Sequence, residues 1–251
     1  AFGLLGARVT VFDLSDVQNA LSRAGKLAHC EVTNRFYEIG SPETLAAFCA
    51  YAAARFDRPN RAVFLDRDGV LNELWWNDDI EQLDAPLSPE RLKLIDGAAE
   101  AVQMLRDKGY RAFVVTNQPA AAKGKTTLER LYDVRLAFVK RMRALGAEFD
   151  GVLLCPHYPE PQALTRETFL ARRCSCRKPA PGLILRAAQT HNLDLARSVT
   201  AGDSHTDVLA GRAAGTKTAF IGGLKCDACH LLGGYRPDYT AASALELAKM
   251  L

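Results

Sequence analysis

Asp66 and Asp68 are two carboxylates separated by one residue, directly after the apolar run at residues 62–65. Side chains two positions apart on an extended segment point to the same side, so both acids can face one site. Hydrolysis of a phosphate monoester is very slow without a catalyst and benefits from a covalent route with a positioned acid and base. One carboxylate can attack while its neighbour handles the proton. The alternative for an isolated pair is a turn before Gly69, in which an aspartate caps backbone amides.

Further polar groups follow later apolar runs. Thr116 and Asn117 offer a hydroxyl and an amide, Lys178 offers a fixed positive charge, and Asp203 offers a third carboxylate, with Asp207 four residues on. Carboxylates that converge on one point repel one another unless a cation neutralises them. The pattern therefore predicts a divalent metal ion, and Mg²⁺ is the hard ion that prefers oxygen ligands.

Cysteine and histidine spacing gives an independent signal. Cys155 and His157 form one close pair, and Cys174 and Cys176 form another after a 16-residue interval. A loop of that length can return to close a tetrahedral Cys₃His zinc site, in which every position is filled by protein and the ion is structural. Buried or incidental thiols are the alternative. Zinc here would stiffen the loop that ends at Lys178.

These residues need a scaffold that brings strand ends together. Short apolar runs at residues 62–66, 112–116, 151–154, 198–202 and 216–222 read as strands. Amphipathic stretches at residues 89–108, 126–145 and 181–190 read as helices between them. This alternation predicts an α/β fold with a doubly wound, Rossmann-like parallel sheet, whose ligand sits outside the carboxyl ends of the strands.

The first 56 residues follow another pattern. They read as a strand at residues 8–12, a helix at 15–25, a strand at 35–39 and an Ala-rich helix at 42–55, followed by a polar linker. Residues 37–45, Tyr-Glu-Ile-Gly-Ser-Pro-Glu-Thr-Leu, resemble the C-terminal end of sugar-1-phosphate nucleotidyltransferases. The alternative is a simple helix start with Ser41 as cap and Pro42 at the first position. On the resemblance, we predict that residues 1–56 are the C-terminal remnant of such a domain and part of a longer polypeptide, and that residues 57–251 are a separate domain.

Taken in order, Asp-x-Asp, Thr, Lys and Gly-Asp-x₃-Asp resemble the haloacid dehalogenase superfamily, over about residue 62 to the C-terminus. Within it, Cys-Pro-His-x-Pro-Glu followed by Cys-x-Cys-Arg-Lys-Pro-x-Pro-Gly is similar to the heptose-bisphosphate and histidinol-phosphate phosphatase family. That family uses short loops, with no large cap domain, and acts on small phosphorylated metabolites. Here the loop after Asn72, with Trp75 and Trp76, would either cover the site or pack against the sheet edge.

The resemblance implies a role for each matching residue. Asp66 would be the nucleophile that forms an aspartyl-phosphate, and Asp68 the general acid and then the base. Thr116 and Asn117 would bond the phosphoryl oxygens, and Lys178 would offset their charge. Asp66, Asp203 and the backbone carbonyl of Asp68 would hold Mg²⁺. Asp207 would contact these groups without binding the ion itself.

The chain departs from the family pattern after Gln118, where residues 119–124 read Pro-Ala-Ala-Ala-Lys-Gly instead of Ser-Gly-x-Ala-Arg-Gly. A hydroxyl donor is lost, and Lys123 cannot make the planar two-point contact of an arginine. We expect Lys123 and Arg177 to bind substrate and catalysis to survive the change. The nucleotidyltransferase resemblance favours a sugar phosphate, a heptose 1,7-bisphosphate hydrolysed to the 1-phosphate. The alternatives are histidinol phosphate and a noncatalytic, zinc-stiffened scaffold.

Composition narrows the function classes. The 251 residues carry 32 Lys plus Arg and 29 Asp plus Glu, a net charge of +3 that predicts neither a nucleic-acid nor a membrane surface. Apolar runs fall short of the roughly 20 residues that a membrane helix needs, and we expect a cytoplasmic protein. Cys226, Cys229 and His230 have the spacing of a haem attachment, but without an export signal we expect a loop with free thiols.

Overall fold

The computed structural model describes residues 14–27, 38–56, 61–77, 81–160, 167–222 and 236–251. The predicted strand at 8–12, most of that at 35–39, and the segment with Cys226, Cys229 and His230 lie outside these ranges. Within them, none of the helices is both long and apolar enough to cross a membrane. The chain divides into two compact units, residues 1–51 and 52–251.

Two helices are described in and next to the first unit. Helix α1 covers Leu14–Arg23, and α2 covers Pro42–Phe56 and extends past the division. The Ser41 hydroxyl accepts a hydrogen bond of 3.2 Å from the Thr44 N–H, and Pro42 occupies the first helical position. The predicted helix start is confirmed. Such caps begin helices in many folds, so the cap does not decide what domain this segment came from.

The second unit holds the sheet. Its elements, in chain order, are β1 (Ala62–Leu65), β2 (Trp75–Asn77), β3 (Gln82–Asp84), α3 (Ala98–Asp107), β4 (Arg111–Asn117), α4 (Leu128–Ala144), β5 (Gly151–Cys155), α5 (Gly182–His191), β6 (Val199–Gly202), α6 (His205–Ala214), β7 (Lys217–Ile221), β8 (Tyr239–Ala241) and α7 (Ala244–Met250). Six strands pair in parallel in the order β5-β4-β1-β6-β7-β8. Numbered along the chain within the sheet, that order is 3-2-1-4-5-6, which confirms the predicted doubly wound fold.

Strand β1 lies at the centre of the sheet and is buried on both faces. Val63 and Leu65 pack into a cluster with side chains of α3, α4 and α7, whereas Ala62 and Phe64 pack into another with side chains of α5 and α6. This alternation explains why β1 is continuously apolar, since neither of its faces meets water. Its last residue, Leu65, delivers the chain to Asp66.

The predicted helix at residues 89–108 is wrong in its first half. A 3₁₀ turn at Pro89–Arg91 is followed by extended chain, and α3 begins only at Ala98. The extended part pairs with the loop after β1, where Glu73 N–H donates to the Lys93 carbonyl at 2.8 Å and Ile95 N–H to the Leu71 carbonyl at 3.0 Å. Pairing with a distant segment therefore overrides local helix preference here.

Strands β2 and β3 form a small antiparallel hairpin after β1. The Trp75 indole N–H donates to the Ala85 carbonyl at 2.9 Å, and the Arg91 guanidinium lies 3.8 Å from the ring centroid, so Trp75 packs against its own loop. Trp76 is 55% exposed. In the described part of the chain no large cap domain is inserted.

A third apolar cluster joins three loops that follow different strands. It combines the Ala120–Ala122 turn after β4, Leu87 after the hairpin, and Tyr158 and Leu170 after β5, together with Leu131 of α4. We refer to it as the loop cluster.

Candidate active site and metal sites

The carboxyl ends of β4, β1 and β6 lie side by side and bring the predicted acids together. The Asp66 N–H donates to the Ala201 carbonyl of β6 at 2.9 Å, which fixes the first acid next to the strand that leads to Asp203. Carboxylate oxygens of Asp66, Asp203 and Asp207 lie within 4.8 Å of one another. The predicted convergence is present.

Lys178 is the buried cation of this site. Its ammonium group lies 3.0 Å from Asp66 Oδ1 and 2.5 Å from Asp207 Oδ1, and it donates to the Val115 carbonyl at 2.8 Å. Burial disfavours the charged amine, but the Asp207 and Asp66 carboxylates outweigh burial and hold the pKa of Lys178 above its usual value. Lys178 therefore stays protonated, with its ammonium group beside Asp66.

The Lys178 ammonium group compensates the negative charge of Asp66 only in part. Burial is the largest influence and raises its pKa to about 6; the Lys178 charge opposes the shift, and the Asp207 and Asp68 charges add to it. One lysine does not neutralise three carboxylates at one point. An all-oxygen donor set with excess negative charge fits a hard divalent cation such as Mg²⁺.

Asp207 supports the site from the first turn of α6. Its Oδ2 accepts from the Ser204 N–H at 3.1 Å, while Ser204 caps the same helix, so the two residues form a capping box. With Oδ1 on Lys178, both oxygens of Asp207 are engaged. The approach is close: a Cβ on Gly202 would lie 2.0 Å from Asp207 Cγ. Position 202 therefore needs glycine.

Asp68 faces a ring of donors that the sequence analysis missed. Arg67 Nε and Nη2 donate to Oδ1 at 3.1 and 2.9 Å, Asn72 Nδ2 donates to Oδ1 at 3.0 Å, and Gln118 Nε2 donates to Oδ2 at 2.5 Å. Arg67 and Gln118 are each only 2% exposed. The available signal was the arginine between two acids at a strand end, since a buried charge requires a partner.

The two residues that end β4 have different partners. The Thr116 hydroxyl is buried and accepts from Gln118 Nε2 at 2.9 Å. The Asn117 amide instead joins the backbone of Lys178, accepting from its N–H and donating to its carbonyl. The Asn117 side chain thus positions Lys178, and its contact with phosphoryl oxygens stays a prediction.

The two predicted substrate-binding cations share one aromatic ring. Lys123 Nζ lies 4.4 Å and Arg177 Cζ 5.4 Å from the centroid of Tyr158. Burial, followed by the Lys125 and Arg177 charges, lowers the pKa of Lys123. Two neighbouring cations favour an anionic ligand.

The cysteine and histidine ligands predicted for zinc also meet. Sulfur atoms of Cys155, Cys174 and Cys176 lie 3.3–3.6 Å apart, and His157 Nδ1 lies 3.6 Å from Cys155 and 3.3 Å from Cys176. Ligand atoms about 2.3 Å from a tetrahedral ion are separated by about 3.7 Å, so the spacing suits zinc. Burial raises the pKa of the Cys155 thiol, and this penalty on the thiolate is one that a bound cation removes.

The Cys₃His cluster and the carboxylate site are joined through the backbone. Cys155 ends β5, beside β4, and its carbonyl accepts from the Gln118 N–H at 2.7 Å. Cys176 is two residues before Lys178, whose backbone is held by Asn117. The loop from Cys155 to Lys178, called the zinc loop below after its predicted metal, is therefore hydrogen-bonded at each end to the end of β4.

Comparisons with known proteins agree with this geometry. The HAD-hydrolase-like family model matches residues 175–247. A heptose-1,7-bisphosphate 7-phosphatase from Rhodopseudomonas palustris is 38% identical over 61% of this chain and 79% of its own, and one from Vibrio cholerae is 36% identical over 64% and 80%. Both are named for the beta anomer of D-glycero-D-manno-heptose.

Solved structures show the same fold. A putative HAD-like phosphatase from Mesorhizobium loti superposes with a TM-score of 0.62 at 26% identity, over 78% of this chain and 86% of its own. A heptose bisphosphate phosphatase from B. bronchiseptica, complexed with magnesium and phosphate, gives 0.61 at 24% identity, over 76% and 97%.

The doubly wound sheet and the acids at its carboxyl edge, together with these matches, define a phosphatase of the haloacid dehalogenase type. Within that class, the chain belongs to the heptose-1,7-bisphosphate 7-phosphatase family.

Proposed function

We propose that this chain is a Mg²⁺-dependent phosphatase that converts heptose 1,7-bisphosphate to heptose 1-phosphate through an aspartyl-phosphate on Asp66. The observation that carries the proposal is the meeting of Asp66, Asp203 and Lys178 at one edge of the sheet. The names of the relatives support the substrate class. Those relatives favour the sugar over histidinol phosphate.

The reaction has two displacements at phosphorus. An Asp66 oxygen attacks, the bond from phosphorus to the sugar oxygen breaks, and Asp68 gives its proton to that oxygen. Water then attacks the aspartyl-phosphate, Asp68 takes a proton from the water, and phosphate leaves with Asp66 restored. The acid of the first step is thereby the base of the second.

The surrounding residues stabilise the charge. Lys178 neutralises Asp66 and faces the transferred phosphoryl group, and the Thr116 hydroxyl hydrogen-bonds its oxygens. Mg²⁺ held by Asp66, Asp203 and the Asp68 carbonyl would supply the positive charge that offsets the phosphoryl oxygens. Asp207 keeps Lys178 in place without contacting substrate.

Zinc and the two half-buried cations, Lys123 and Arg177, complete the proposal. Zinc held by Cys155, His157, Cys174 and Cys176 would be structural, because protein fills all four positions. Lys123 and Arg177, which both lie beside the Tyr158 ring, would bind the phosphate that is not transferred. Their cationic pair suits a bisphosphate better than a monophosphate.

Phosphate release tests the function. Wild-type enzyme should release one phosphate per heptose 1,7-bisphosphate with Mg²⁺ and none after chelation, and should act poorly on histidinol phosphate. Asp66→Asn should abolish release, while Asp107→Asn, which changes an exposed aspartate at the end of α3, should leave it intact. Faster release from histidinol phosphate would reassign the substrate. No release from any phosphomonoester would favour the noncatalytic scaffold.

We also propose that residues 1–56 derive from a sugar-1-phosphate nucleotidyltransferase domain. The motif at residues 37–45 supports this, and the separate compact unit at residues 1–51 is consistent with it. An antibody against the chain should detect a longer polypeptide in extracts of the source organism. A single species of about 27 kDa would contradict the proposal.

A further inference from the structure

Gln118 lies where the proposed acid and base, a phosphoryl-binding hydroxyl and the zinc loop meet. It is 2% exposed and 50 residues away from Asp68 in the chain. Its side-chain nitrogen donates to Asp68 Oδ2 at 2.5 Å and to Thr116 Oγ1 at 2.9 Å, and its backbone N–H donates to the Cys155 carbonyl at 2.7 Å.

The chemistry of the amide fixes its orientation. A primary amide nitrogen carries two hydrogens, and here there are two acceptors. Asp68 is paired with the Arg67 guanidinium, as an ionised carboxylate is, and in that state reversing the amide would place its carbonyl oxygen against Oδ2, two acceptors with no proton between them. The nitrogen therefore faces Asp68, and both of its hydrogens are used.

The two oxygens of Asp68 are held differently. Oδ1 accepts from Arg67 Nε, Arg67 Nη2 and Asn72, all from the loop after β1. Oδ2 has one longer contact of 3.1 Å to Arg67 Nη2, and its short contact is to Gln118. Gln118, the first residue after β4, therefore supplies the shortest of the contacts that fix the rotation of the carboxylate about its Cβ–Cγ bond.

We infer that Gln118 is a positioning residue that fixes the orientation of the Asp68 carboxylate for proton transfer. Through the same nitrogen it also holds this carboxylate next to the Thr116 hydroxyl. The inference rests on the proposed function, because Asp68 transfers protons only if the chain is a phosphatase. Gln118 does not contact the reacting atoms. It acts through Asp68, and its loss should affect the proton-transfer step more than binding.

The test uses the dependence on leaving group. A sugar oxygen needs a proton as it leaves, whereas p-nitrophenolate leaves readily without one. Gln118→Met, which keeps the length and removes both donors, should lower kcat/KM for heptose bisphosphate about tenfold or more, within the range of a partly lost general acid. For p-nitrophenyl phosphate the loss should be threefold or less. Gln103→Met, the same change in α3, should leave both values unchanged.

An equal loss on both substrates would overturn the inference, because it would indicate general damage to the site. A crystal structure of Gln118→Met gives a readout independent of turnover: the Asp68 carboxylate should rotate while Asp66 and Lys178 stay in place. An unchanged Asp68 would also overturn it. If Gln118→Met does not fold, Gln118→Asn, whose shorter amide cannot reach both acceptors, replaces it. Wild-type enzyme that hydrolyses p-nitrophenyl phosphate but not the heptose would refute the proposed substrate only, and another alkyl phosphate would then serve.

Discussion

The side chain of Asn117 and the backbone of Lys178 form a reciprocal pair, with the Asn117 amide accepting from one N–H and donating to one carbonyl at 3.0 Å each. The pair ties the end of β4 to the residue that follows the zinc loop. A lysine on a long loop would otherwise sample many positions, so this contact holds its ammonium group beside Asp66.

Asn117→Ala should therefore lower kcat at least tenfold, because Lys178 is no longer held. Loss of two part-buried hydrogen bonds should lower the free energy of unfolding by about 2 kcal/mol. Steady-state kinetics and urea denaturation measure the two effects. A kcat within twofold of wild type would contradict the assignment of Asn117 as the residue that positions Lys178.

Gly202→Ala should displace Asp207, since the new Cβ would lie 2.0 Å from its Cγ. Strain in a packed interior of this kind costs about 2 kcal/mol, and activity should fall because Asp207 holds Lys178. Thermal denaturation and kinetics check this. Gly40→Ala is the control. The atom nearest to its new Cβ would be 4.0 Å away, so this substitution should change neither the stability nor the activity.

Removal of one zinc ligand should also lower the activity of the carboxylate site. Cys174→Ser should purify with less than one zinc per chain and with a Tm lowered by about 5 °C or more. Its kcat should fall even in excess Mg²⁺, because the loop that carries Lys178 is loosened. Metal analysis and calorimetry test this. Cys49→Ser changes an exposed free cysteine of the first unit and should match wild type.

Mg²⁺ binding should release protons in mildly acidic solution. The pKa of Asp66 is raised to about 6 from 3.8, so at pH 6 about half of the metal-free protein carries a proton there that the cation must displace. At pH 8 that release should be near zero. Titration calorimetry in buffers of different ionisation enthalpy measures it, and Asp66→Asn should release none at either pH.

The raised pKa of Asp66 also determines whether the stability of the metal-free protein rises or falls with pH. A carboxyl group whose pKa is higher in the folded state binds protons more tightly there than in the unfolded chain. The contribution of Asp66 to the stability of the metal-free protein should therefore decrease as the pH rises from about 4 to about 6, and remain reduced above it. Added Mg²⁺ should restore the loss at pH 8, measured as an increase in Tm.

The sheet could be predicted from sequence because its strands are apolar runs long enough to be buried on both faces. From that sheet it follows that Asp66 and Asp203, far apart in the chain, end neighbouring strands. The Cys₃His spacing likewise predicted a cluster whose four ligands the structure brings together.

What could not be predicted depends on contacts between distant segments. The extended chain near Ile95 forms because it pairs with the loop after β1, although its composition favours a helix. Strand β8 has only three residues, Tyr-Thr-Ala, and no apolar pattern identifies it. Gln118 looks like an ordinary polar residue until β4 and β1 are paired, when its amide meets Asp68.

The loop cluster limits how the specificity of this enzyme could be redesigned. Segments after β1, β4 and β5 contribute Leu87, Ala121, Tyr158 and Leu170 to one small apolar core. Grafting a single loop from a homologue would leave an unfilled hole among the other two. A change of substrate by transplantation should therefore exchange all three segments as one module, with the catalytic strand ends left untouched.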